Sequence, residues 1–267
     1  MSTQAKILPI KRSSDLPHDI SPVVGLADHY PPGFSDPFHA HERCQLALTL
    51  SGVITVTTGS ASYILPPNRA IWIPAGTHHQ VTTRAAVQFR TLYVDNTLNK
   101  WPDRCHVFET TPLVRALIDE ILQFRFPYPP QGREVRLTDL LLEELDRMPS
   151  VGLQISMPSD RRLVRVCRAL LLNPTDGRDL DHWALEAGMG RRTFTRLFRE
   201  QTGMGLASWR QQARMIEAIA LLEQGRSVTT AAYDVGYDSP SAFSAAFHRI
   251  FGMSPSAYCR GSSKIKQ

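Results

Sequence analysis

The 267-residue chain has only four cysteines, and nothing is built around them. Cys44, Cys105, Cys167 and Cys259 lie far apart with no CxxC spacing. That excludes a thiolate metal cluster from sequence and reads as reduced thiols rather than a disulfide framework. No segment approaches the roughly 20 apolar residues of a membrane span. The opening stretch MSTQAKILPIKRSSD has no apolar run of signal-peptide length, so a cytoplasmic protein without membrane contact is expected. Composition shows no disordered, collagen-like or disulfide-rich bias, and the length suits two domains with separate cores.

What charge there is sits at one end. Residues 159–267 hold 16 Lys+Arg against 10 Asp+Glu, whereas residues 1–158 hold 14 against 15. A basic excess confined to one half is the footprint of a polyanion partner.

Residues 1–35 are rich in proline and turn residues and give little signal. From Gln45 the texture is β: the short runs 46–50, 53–57, 62–65, 70–73 and 87–94 are punctuated by Ser51-Gly52, Gly59-Ser60, Pro66-Pro67-Asn68 and Pro74-Ala75-Gly76. Short strands at that spacing predict a small barrel or sandwich. Around Thr110 the period becomes helical, with Leu113, Leu117, Ile121 and Leu122 on one helix. The Pro-rich break 126–130 separates it from a second, carrying Val135, Leu137, Leu140, Leu141, Leu142 and Leu145. That apolar surplus either packs against the barrel or forms a homodimer contact. Residues 148–160 read as a linker, with Ser159 or Asp160 capping the next helix.

The last ninety residues contain one motif twice. Leu180, Ala184, Gly188, Phe194, Phe198, Gly203 and Trp209 reappear as Val228, Ala232, Gly236, Phe243, Phe247, Gly252 and Tyr258, offset by 48 residues to the first glycine and 49 after it. Each copy reads as a short helix, a glycine turn and a second helix with paired phenylalanines, a helix-turn-helix that inserts into double-stranded DNA. The helix 191–202 puts Phe194, Leu197 and Phe198 inside and exposes Arg191, Arg192, Thr195, Arg196 and Arg199. Arginine's planar fork pairs bidentately with guanine or phosphate. The first four lie in the half that enters the major groove, and Arg199 falls nearer the backbone. In the second copy Pro240, Ser241, Ser244, Ala245 and His248 are exposed with Arg249 beside them, and Asp238 or Ser239 caps. Between the copies a helix of about 18 residues, roughly 27 Å long, could hold two heads about one DNA turn apart. Trp209, Ala213, Ile216 and Ala220 form its inner stripe.

The stretches GMGRRTFTRLFREQTGMG and GYDSPSAFSAAFHRIFGMSPSAY make residues 161–258 similar to the DNA-binding domain of AraC/XylS-type transcription regulators. The resemblance implies seven helices, two helix-turn-helix units and sequence-specific promoter binding, with RNA polymerase as a further partner. The chain departs from it at Gly190, where the family often has a serine that caps the first recognition helix.

Upstream, His39, His41 and Gln45 precede a strand and PAGTHH follows a later one. This HxHxxxQ…PxGxxH pattern resembles the two motifs of the cupin superfamily. Carried over, it implies an effector site at His39, His41, Gln45 and His79, with His39, His41 and His79 as ligands of a divalent metal ion. Gln45 stands where the family pattern has Glu, which removes an anionic ligand. Alternatively the histidines hydrogen-bond an organic effector without metal.

The expected fold is α+β with two domains: a cupin-like sensing barrel (1–109), a helical dimerisation and linker region (110–158) and an all-α tandem helix-turn-helix domain (159–267). The leading expectation is a transcription regulator, not an enzyme, that senses a small molecule or metal. The alternative is a metal-dependent cupin enzyme fused to a DNA-binding domain.

Overall fold

The computed structural model describes residues 21–83, 85–98, 103–125, 127–149 and 154–264. Two antiparallel sheets face each other in the N-terminal half. Across the first run β1 (Val23–Tyr30), β7 (Val87–Val94), β2 (Cys44–Ser51), β5 (Arg69–Ile73) and β8 (His106–Glu109). Across the second run β6 (His79–Thr83), β3 (Ile54–Thr58), β4 (Ala61–Leu65) and β9 (Gln154–Ser156). Asn68, at φ 68°, turns the chain into β5 after two prolines, a left-handed position that asparagine tolerates.

Both faces of the first sheet are covered, which is why its strands are so apolar. Ala47, Ile71, Ile73 and Phe89 point into the barrel, while Leu46, Leu48, Trp72, Leu92 and Phe108 point outward onto two helices. These are α1 (Pro112–Ile121), capped by Thr111, and α2 (Arg133–Asp146). They bury Val114, Leu117, Ile118, Ile121, Leu141 and Leu145 against the sheet, so packing on the barrel accounts for much of the leucine surplus. Two expected inward residues are turned out: Leu113 is 46 % and Leu140 38 % exposed. Phe126 and residues 150–153 lie outside the described residues.

The linker holds more structure than its composition suggests. β9 pairs with β4, Ala61 opposite Ser156 and Tyr63 opposite Gln154, extending the second sheet. The chain then enters α3 (Arg161–Leu172), whose N-cap is Asp160, accepting from the Arg162 amide. Six helices follow: α4 (Leu180–Glu186), α5 (Arg191–Thr202), α6 (Leu206–Glu223), α7 (Val228–Asp234), α8 (Pro240–Phe251) and α9 (Pro255–Lys264). Gly203 and Gly252, at φ 77° and 72°, end α5 and α8 in the left-handed conformation that favours glycine. In α6 the expected stripe Trp209, Ala213, Ile216 and Ala220 is buried, and so are Met215, Ala218, Ile219 and Leu222. The helix is sheathed on several sides because it supports both helix-turn-helix units and also packs on β4 and β9. One continuous core therefore joins the barrel interior to the helical half.

Candidate functional site

Two sites emerge, one on the outside of the helical half and one inside the barrel. On the outside, Phe194 and Phe198 are fully buried and hold α5 so that Arg191, Arg192, Arg196 and Arg199 stand in solvent. The Thr195 hydroxyl donates to the Arg191 carbonyl 2.9 Å away, one turn back. Gly190 makes no side-chain cap, as its lack of a hydroxyl requires.

Two of the arginines are not bare. Sequence offers no acidic residue on α5 before Glu200, yet Arg191 reaches back to Asp181 on α4 at 2.7 Å. Arg196 pairs with Glu200 one turn on at 2.8 Å. All four partners are more than half exposed, so each pair contributes about 0–1 kcal/mol. A bidentate contact of an arginine to a base discriminates by about 1–3 kcal/mol, more than either pair contributes. Among the described residues, Arg192 and Arg199 have no ion pair.

In the second copy Ser239 accepts from the Ala242 amide at 3.2 Å, so its hydroxyl is engaged as the N-cap of α8. Ser241, His248 and Arg249 are exposed and Ser244 is half-buried on the same helix. The two helix-turn-helix units share a scaffold but not a surface chemistry.

Inside the barrel the histidines converge. His39 and His79 form an antiparallel bridge, each amide donating to the other's carbonyl at 3.0 and 2.9 Å. Candidate ligand atoms of His39, His41 and His79 all lie within 4.8 Å of one another. His39 Nδ1 is 2.8 Å from the Pro37 carbonyl and His79 Nδ1 is 2.8 Å from the Thr77 carbonyl. A carbonyl only accepts, so both Nδ1 atoms carry a proton, and in the neutral form of either ring Nε2 keeps the lone pair. His41 Nε2 and His79 Nε2 are buried without a hydrogen-bond partner, and so is Gln45 Oε1. Gln45 is oriented by its other end: Nε2 donates to Thr91 Oγ1 at 3.1 Å and to Tyr93 Oη at 3.3 Å.

Burial, reinforced by the neighbouring imidazoles His79 and His39, lowers the His41 pKa to about 3. Burial also lowers that of His79. Burial thus holds His41 and His79 as neutral electron-pair donors at neutral pH. Such a set fits a divalent transition metal, which requires deprotonated imidazole and whose ligands carry a second hydrogen bond through Nδ1.

Thr91, Tyr93 and the Pro37 and Thr77 carbonyls escape a motif reading. The first two arrive through the β2–β7 pairing, in which Gln45 lies opposite Tyr93. No local spacing announces that neighbour.

A barrel carrying an inward histidine cluster, joined to two helix-turn-helix units with a basic face, defines a one-chain DNA-binding regulator. Comparison with known proteins agrees. A helix-turn-helix domain family matches residues 183–261 and a cupin domain family matches residues 28–95. The HTH-type transcriptional regulator NimR of Escherichia coli (strain K12) is 31 % identical over 226 residues, covering 84 % of this chain and 82 % of that protein. The arabinose operon regulatory protein of the same organism is 29 % identical over 240 residues, covering 81 % and 80 %. The chain belongs to the AraC family of HTH-type transcriptional regulators. No helix of the described residues is long and apolar enough to cross a membrane.

Proposed function

We propose that the protein binds promoter DNA in a sequence-specific way and that a ligand in its barrel adjusts that binding. The arginine face of α5 carries the DNA-reading half of this proposal. Arg191, Arg192, Thr195 and Arg196 read bases in one major groove, and Arg199 meets phosphate. Ser241, Ser244, His248 and Arg249 on α8 fix register one turn away and add backbone affinity, with Ser239 holding the helix start.

The effector site is His39, His41, Gln45 and His79. It offers only lone pairs: three imidazole nitrogens and one amide oxygen. The effector class it fits is therefore a divalent transition-metal ion, held by the three histidines with Gln45 as a neutral fourth donor. Bound metal would supply a fixed positive charge at the bridge between β6 and the segment before β2. A ligand shifts the protein between arrangements only by binding them unequally. The enzyme alternative is not favoured, since the relatives are named as regulators.

Leu113 on α1 and Leu140 on α2 are exposed apolar side chains, and the α1–α2 pair is proposed as the homodimer contact. RNA polymerase is the further partner proposed at a promoter. Selection of duplexes from a random-sequence library by the purified chain tests the DNA-reading half. Enrichment of one defined sequence supports it; uniform recovery of all sequences contradicts it.

A further inference from the structure

The two recognition helices are buttressed in the same way, and both buttresses end on the barrel. Trp209 follows the first reader and Tyr258 the second, at the same 49-residue offset that relates Phe198 to Phe247. Trp209 meets Phe198 edge-on, ring centroids 6.1 Å apart at 86°. Tyr258 meets Phe247 at 5.9 Å and 66°. Each aromatic ring therefore touches the inner face of the helix whose outer face reads DNA.

The polar tip of each ring then leaves the helical half. Trp209 Nε1 donates to the Ser156 carbonyl at 2.7 Å, and Ser156 lies on β9, paired with β4 of the second sheet. Arg69 Nη2, on β5 of the first sheet, donates to Tyr258 Oη at 3.0 Å. Arg69 is 5 % exposed and its Nη1 lies 3.1 Å from Glu109 on the neighbouring strand β8, so the contact is anchored in the barrel wall. A duplicated sequence position has thus become a pair of latches, one per reading head, each closing on a different sheet.

We propose that Trp209 and Tyr258, with Arg69, are positioning residues that hold both reading heads in their DNA-competent orientation against the barrel. The proposal rests on the DNA-reading function above. The heads are otherwise linked mainly through α6, and binding two grooves at once requires their relative orientation to be fixed. Fixing it before DNA arrives reduces the ordering cost of association. The arginine face of α5 and the exposed face of α8 remain in solvent while both latches are closed, so this arrangement presents the readers rather than masking them. The second latch also lies on the effector's strand neighbourhood: β5 carries Arg69 at one end and, at Ile73, pairs with Gln45 of the histidine site. A shift of β2 and β5 on effector binding reaches Tyr258 through Arg69.

The test uses full-length protein and a duplex that the wild type enriches from a random-sequence library, with affinity measured by anisotropy and contacts by hydroxyl-radical footprinting. The tract whose protection Arg196→Ala removes is assigned to α5. Tyr258→Phe keeps the ring and removes only the hydroxyl, and Arg69→Gln removes the guanidinium that donates to it. Each is expected to weaken binding about tenfold, chiefly by loss of protection in the other tract. The double variant is expected to be no weaker than Arg69→Gln alone, since that substitution already removes the guanidinium that donates to the Tyr258 hydroxyl as well as its pair with Glu109. Trp209→Phe is expected to act on the α5 tract, and Tyr258→Phe keeps the proposal testable if that buried substitution disturbs folding. Additive losses, equal loss over both tracts or unchanged affinity would overturn the latches. Failure of the wild type to enrich any duplex would instead overturn the DNA-reading function, and the latches with it.

Discussion

Arg191 donates to Asp181 from the preceding helix at 2.7 Å, so a residue we propose as a base contact is held on an acidic tether. The tether must be released before Arg191 can reach a base. Asp181→Asn is therefore expected to raise DNA affinity about two- to fivefold, the range of an exposed ion pair. The gain should vanish in an Arg191→Ala background. Equal gain in both backgrounds would mean that Asp181 acts only as a general negative charge near the phosphates.

Arg192→Ala and Arg196→Ala are each expected to cost about 1–3 kcal/mol of discrimination between the preferred duplex and a single-base variant. Ser244→Ala should cost much less, because α8 presents few groups that read bases. Competition binding with matched and mismatched duplexes measures both. Comparable losses from Arg196→Ala and Ser244→Ala would contradict the assignment of specificity to α5.

Gly190 sits in extended backbone at φ −68° and ψ 146°, with open space where a Cβ would stand. Gly190→Ser should fit there and accept a first-turn amide, as Ser239 does in the second copy. The expected gain is small, a few tenths of a kcal/mol, read as a slightly higher thermal midpoint. A lowered midpoint would show that α5 starts with a geometry unlike that of α8.

The lowered pKa of His41 predicts an acid-sensitive fold in metal-free protein. The unfolded imidazole takes up a proton near its ordinary value of 6.5, whereas the folded one resists until about 3. The unfolded state binds more protons in that window, so stability falls as pH drops from 6.5 towards 3, by at most about 1.4 kcal/mol per pH unit. His41→Gln should flatten this acid limb in denaturant titrations with a chelator present. An unchanged slope would place the acid sensitivity elsewhere.

β2, β3, β4, β5 and β7 were legible in the sequence because turn residues punctuate them. β1 was not, since VVGLADHY lies within a stretch dominated by proline and turn residues. β6 reads HQVTT, and its partner residues on β3 lie more than twenty positions away. β8 and β9 are four and three residues long and exist by virtue of distant partners. The histidine cluster was legible as a motif, because His39 and His41 are two apart and His79 ends the second motif. The support for Gln45 was hidden, since Thr91 and Tyr93 come from a strand 46 and 48 residues further on. The tandem readers were fully visible as a repeat, but Asp181 beside Arg191 and the barrel beyond Trp209 and Tyr258 depend on tertiary packing that spacing does not encode.

We propose that the histidine site and the DNA-reading face belong to one switch. Its most direct measurement is DNA affinity of the full-length protein, titrated with a divalent transition metal such as zinc or nickel, in wild type and in His79→Ala. The expected result is one metal per chain, a change in DNA affinity on saturation, and loss of that change in His79→Ala with basal DNA binding retained. Metal that fails to bind, or that binds and leaves DNA affinity unchanged, or a response that persists in His79→Ala, would contradict it.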